Sequence, residues 1–114
     1  MPDPGDVIIT RVKFTDSEQS KIRPALILLE EMSNIIIVGI TTNTRMSGIP
    51  ISRIEGAAQE SVIKLNYIFT ITNEAIIKTV FRLSSEKRNL VFNELSKKLR
   101  DTPGRLIVKL FSIL

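Results

Sequence analysis

Apolar positions in this chain come in short bursts divided by polar turns, and one stretch alone carries a helical period. Val7 to Phe14 alternates, with Ile8, Val12 and Phe14 on one face and Arg11 and Lys13 on the other, which predicts a half-buried strand. Ala25 to Leu29 has no polar alternation and reads as a short strand buried on both sides. It follows Lys21-Ile22-Arg23-Pro24, where the proline pushes Arg23 out of the α region and into an extended backbone. Ile35 to Ile40 is β-branched and uncharged, the strongest strand signal in the chain. Ile49 to Ile54 is expected at a sheet edge, because Pro50 cannot donate to a ladder. Ser61 to Leu65 and Ile68 to Ile71 read as short strands interrupted at Asn66-Tyr67. Thr72-Asn73-Glu74 suits a single helical turn before a further strand, Ile76 to Leu83. The polar segments 15–21, 30–34, 45–48 and 55–60 are the loops between these elements.

Ser84 opens the helix. It is a good cap, Glu86 lies in the electropositive first turn, and Lys97, Lys98 and Arg100 lie in the last. Val91, Leu95 and Leu99 form its apolar stripe, and Asp101-Thr102-Pro103-Gly104 ends it. The tail Arg105 to Leu114 is almost wholly apolar, so it is expected to pack on the core or a partner, as a helical turn or a strand. Many short strands ahead of one C-terminal helix predict an α+β fold, a single domain over 1–114 built on a strongly bent, mostly antiparallel sheet or small barrel.

Composition changes this picture mainly by exclusion. The chain of 114 residues contains neither cysteine nor histidine. Disulfides, thiolate metal sites and the commonest acid/base group are therefore all ruled out. Proton transfer has to use carboxylate, guanidinium, ammonium, phenol or hydroxyl groups. A formal charge of +4 favours a polyanionic partner such as nucleic acid. With no apolar N-terminal stretch and no run of membrane-spanning length, a soluble cytoplasmic protein is expected, with no membrane association.

Two places gather chemistry. Arg23 stands at the mouth of a buried strand, and its planar fork of donors suits a phosphate; a solvated arginine at a strand end is the plainer reading. Thr41-Thr42-Asn43-Thr44 places hydroxyl and amide groups where the strongest strand ends, either facing a ligand or stabilising a local turn.

Taken together, Gly5-Asp6-Val7, the Ser17-Glu18-Gln19 loop, Lys21-Ile22-Arg23-Pro24-Ala25, Gly39-Ile40-Thr41-Thr42 and Ser61-Val62-Ile63 resemble the MazF/PemK family of toxin ribonucleases. The order and spacing hold from about Pro4 to Leu99. The resemblance implies an SH3-like barrel with added helices, a homodimer, and cleavage of single-stranded RNA that needs no metal or other cofactor. It also implies a cognate antitoxin whose C-terminal part blocks the groove. Residue by residue, Arg23 and Thr41 match the family's central site positions, and Glu18 matches the acid of its first loop. Lys21, Thr42, Asn43 and Arg45 flank these positions as candidate RNA contacts.

After Ser61-Val62-Ile63 the family usually carries an acid–glutamine pair with an arginine two residues beyond, whereas this chain has Asn66, Tyr67 and Phe69. Tyr67 is accordingly either a stacking surface for an RNA base or a half-buried strand aromatic. Two other functions stay open: a toxin of the same fold that poisons another macromolecule such as DNA gyrase, and a non-catalytic nucleic-acid-binding module.

Overall fold

A computed structural model describes residues 2–13 and 20–101. Phe14, Glu18 and the apolar tail 105–114, with the expectations placed on them, lie outside the described residues. The strands are β1 (Asp6–Lys13), β2 (Ser20–Glu31), β3 (Asn34–Thr41), β4 (Ile49–Ile51), β5 (Ser61–Thr72) and β6 (Ile76–Arg82). A 3-10 turn, Asn73–Ala75, joins the last two strands, and α1 (Ser85–Asp101) follows. All strand pairs are antiparallel in one strongly curled, half-barrel sheet of order β4-β5-β3-β2-β1-β6. The short β4, with Pro50, is indeed an edge strand.

Alternation sorts the core onto the two faces of the sheet. Leu26, Leu28, Val38 and Ile40 pack in one cluster, which Val91 of α1 covers. Ala25, Ile27, Ile35 and Ile37 pack in the other with Ile8 and Val12. The central strands are buried on both faces, which is why their sequences show no polar alternation. Full burial of a side chain such as Val91 contributes about 1.5 to 3 kcal/mol to docking the helix, and Leu95 packs against the same cluster. The helix starts as its sequence suggests, with the Lys87 N–H donating to Ser84 Oγ at 3.2 Å. Gly5 holds the region together at a φ of 94°, its N–H donating to the Ile27 carbonyl at 2.9 Å and its carbonyl accepting from the Leu83 N–H at 3.0 Å.

Three strands differ from their sequence readings, the edge strand β4 by stopping at Ile51, short of the expected Ile54, where the chain turns at 53–56. β2 runs on through Glu31, and the turn shrinks to Met32 and Ser33, at φ 50° and 71°. Positive φ at both central residues is the geometry that matches hairpin twist, and nothing about Met-Ser announces it. β5 continues through Asn66-Tyr67, but its ladder with β3 jumps there: Gly39 pairs with Lys64 and Val38 with Ile68. Leu65, Asn66 and Tyr67 are left outside the ladder, so the interruption expected from the sequence survives as a wide bulge. Among the described residues no helix is long and apolar enough to cross a membrane.

Candidate active site

The β2–β3 register brings the first two candidates together. Ala25 pairs with Gly39, and side chains two residues apart on a strand share a face. Arg23 lies two residues before Ala25 and Thr41 two residues after Gly39. The same register carried outward sets them opposite each other, on the face of Ile27 and Ile37. Pro24 continues β2 in extended form opposite Ile9 of β1, which keeps Arg23 at a defined position opposite Thr10.

A cavity of about 330 Å³ opens on this face, lined by Arg23, Thr41, Thr42 and Tyr67 above a floor that includes Ile37 and Phe69. Gly39 permits this arrangement. A Cβ there would lie 3.3 Å from Tyr67 Cβ, so the missing side chain lets the tyrosine close over β3. The bulge in β5 delivers Tyr67 to that place, and its ring stays partly exposed.

Hydrogen-bond accounting shows what the cavity offers. Thr41 Oγ1 accepts the Asn43 N–H at 3.1 Å, which leaves the hydroxyl hydrogen for another acceptor. Among the described residues the Arg23 guanidinium has neither an ion-pair nor a hydrogen-bond partner. The cavity wall thus presents donors over an apolar floor, a combination suited to a phosphate and a nucleobase. Among the described residues no group of three or more acidic side chains is placed to hold a metal ion.

The family model for the PemK-like, MazF-like toxin of type II toxin–antitoxin systems matches residues 3–99. The chain belongs to this family. Among solved structures, the Mycobacterium tuberculosis toxin MazF-mt6 is similar at 23% identity and a TM-score of 0.67, covering 86% of this chain and 98% of that one. The MazE–MazF complex of Deinococcus radiodurans is similar at 14% identity and a TM-score of 0.68, with 89% and 97% covered. An endoribonuclease in complex with its cognate antitoxin, from a mycobacterial species, gives 13%, 0.64, 90% and 95%. At these identities the solved structures establish the shared fold, including the curled sheet and C-terminal helix. A search of curated proteins gave no match.

Of the remaining candidates of this MazF-like chain, Thr42 alone among the described residues lines the cavity. Thr42 lines it together with Thr41, because β3 ends at Thr41 and strand alternation no longer separates the two. Asn43 is a turn residue: its Oδ1 accepts the Arg45 N–H at 3.2 Å, and its carbonyl accepts the Met46 N–H at 3.1 Å. Arg45 is exposed on that loop, and Lys21 is exposed on β2, two residues upstream of Arg23 and opposite Val12. Neither lines the cavity, and Glu18 falls outside the described residues.

The sequence reading missed Lys64. Only 6% exposed, it donates from Nζ to the Ser47 carbonyl at 3.0 Å and lies 5.3 Å from the centroid of the Tyr67 ring. One cation inside the apolar run Val62-Ile63-Lys64-Leu65 was the available signal.

Proposed function

We propose that this toxin is a metal-independent endoribonuclease that acts on single-stranded RNA as a homodimer. One observation carries the reading: a single cavity gathers the Arg23 guanidinium, the hydroxyls of Thr41 and Thr42, and the Tyr67 ring. In the reaction the 2′-oxygen of a ribose loses its proton and bonds to the neighbouring phosphorus. The phosphorus–O5′ bond breaks, and a proton reaches the leaving 5′-oxygen. The products are a 2′,3′-cyclic phosphate and a 5′-hydroxyl.

Negative charge gathers on the non-bridging oxygens as the new bond forms. Arg23 supplies a bidentate contact to them and a proton for the leaving oxygen, and Thr41 adds a hydrogen bond. Glu18 is assigned as the base that takes the 2′-proton. Tyr67 stacks on a base beside the scissile bond, and Lys21, Thr42, Asn43 and Arg45 contact the strand on either side. Two of the similar structures are toxin–antitoxin complexes, which supports a cognate antitoxin as the partner of this chain. A cytoplasmic location follows from an RNA substrate.

Incubating the purified protein with a long RNA in EDTA tests the reading. The expected result is fragments with 5′-hydroxyl and cyclic phosphate ends. Cleavage that stops in EDTA and returns with magnesium would overturn the mechanism. The replacement of the family's arginine by Phe69 makes the cavity more apolar and favours a second reading, a same-fold toxin that binds and poisons another macromolecule. Intact RNA under all conditions, with growth arrest on expression, is the outcome that selects it.

A further inference from the structure

Lys64 is a buried cation that the proposed reaction leaves unused. Among the described residues no carboxylate forms an ion pair with it. A lysine at 6% residue exposure with one carbonyl acceptor at 3.0 Å is expensive to keep desolvated. Its other close neighbour is the Tyr67 ring, at 5.3 Å from the centroid, within cation–π range.

Two cavities divide at this pair. Tyr67 lines the cavity of Arg23 and Thr41, and Lys64 does not. Lys64 lines a second one, of about 600 Å³, with Ser47, Asn66, Glu94 and Lys98. Bulged out of the ladder, Tyr67 has no strand pairing of its own to hold its orientation. On one side it rests on Gly39, which has no side chain to fix it.

We propose that Lys64 is a positioning residue that braces the Tyr67 ring across the wall of the cavity, and so sets the surface on which an RNA base stacks. The same ammonium ties β5 to the 42–48 loop through the Ser47 carbonyl, so the ring and the loop carrying Arg45 are held in one frame. The effect on RNA rests on the ribonuclease reading; the effect on the ring does not.

The chain has one tyrosine and no tryptophan, so its tyrosine emission reports Tyr67 alone. Lys64→Met removes the charge and the donor, Lys64→Gln removes the charge and keeps a donor for Ser47, and Lys64→Arg keeps both. In free protein, acrylamide should quench Tyr67 emission more strongly in the Met and Gln variants than in wild type, with Arg restoring the wild-type value. Affinity for a 2′-O-methyl oligoribonucleotide, which lacks the nucleophile, should fall roughly threefold to thirtyfold in the Met and Gln variants and recover with Arg. Quenching equal to wild type in the Gln variant overturns the brace, as does a lowered melting temperature in the Met variant with Tyr67 accessibility unchanged. Wild-type protein that fails to bind the oligonucleotide counts against the ribonuclease reading, and the quenching series still decides the brace.

Discussion

The loop after β3 and the loop after β4 are both polar, and their composition does not tell them apart. In the loop after β4 the polar groups close on one another. The Glu55 carboxylate accepts from the Ser52 N–H at 2.8 Å and the Ser52 hydroxyl at 3.0 Å, and pairs with Lys87 of α1 at 3.1 Å. Lys87 in turn donates to the Pro50 carbonyl at 2.8 Å. That circuit fastens the β4 edge to the helix. In the loop after β3, Thr41 and Asn43 give their oxygens to backbone N–H groups, and among the described residues the hydroxyl hydrogen of Thr41 and the guanidinium of the neighbouring Arg23 meet no acceptor. A polar cluster that holds a fold together balances donors against acceptors, whereas a binding cluster is left with a surplus of one kind.

Substitutions in the two loops should therefore separate activity from stability. The largest effect is expected at Arg23, where Arg23→Lys should lower RNA cleavage on the order of a hundredfold, nearly as far as Arg23→Ala, since a point charge cannot reproduce the planar fork. Melting temperature should stay as it was. If Arg23→Lys turns over at close to the wild-type rate, the guanidinium only attracts RNA and the surplus of donors has no part in the chemistry.

Thr41→Val should lower turnover by about tenfold, consistent with the loss of one hydrogen bond to a charged group. Thr42→Val should raise KM more than it lowers kcat. Single-turnover kinetics on a defined RNA distinguish the two, and a larger kcat loss at Thr42 would reverse the assignment.

Across the comparison, Lys87→Met should leave cleavage intact and destabilise the fold by about 1 kcal/mol, or roughly 4 to 8 °C in melting temperature, because both partners are only partly exposed. The smallest effect concerns acid. Burial alone pushes the Glu55 carboxyl up, but the Ser52 N–H, the Lys87 ammonium and the Ser52 hydroxyl together outweigh it and hold the group below its ordinary value of 4.5. A carboxylate depressed in the folded state contributes stability above its unfolded pKa and loses it as pH falls through the folded one. Melting curves of wild type and Glu55→Gln should differ at neutral pH and converge below pH 4.5.

The strands and the helix were legible in the sequence because their signals are local: β-branched runs, an edge proline and a serine cap. Arg23 and Thr41 became legible as a pair only through their resemblance to a family, since their meeting depends on a register that no local pattern encodes. As successive strand residues Thr41 and Thr42 would face opposite ways, yet both line the cavity, because β3 stops at Thr41. Lys64 escaped notice because a lysine in a strand ordinarily faces water. In the folded sheet its side chain instead lies against the Ser47 carbonyl and the Tyr67 ring, contacts that no local pattern encodes. The turn at 30–34 was legible, but its tightening to Met32-Ser33 was not, since neither residue is typical of positive φ.

The unpaired stretch of β5 bears on how such a chain can diversify. A residue within a ladder answers to neighbours on two sides, and a change there disturbs pairing across the sheet. Asn66 and Tyr67 carry no such obligation, because the ladder closes at Lys64 and resumes at Ile68. Side chains can be exchanged there without breaking a ladder pair of β3 and β5. Novelty in what the cavity accepts can then accumulate at two positions without a matching series of repairs elsewhere.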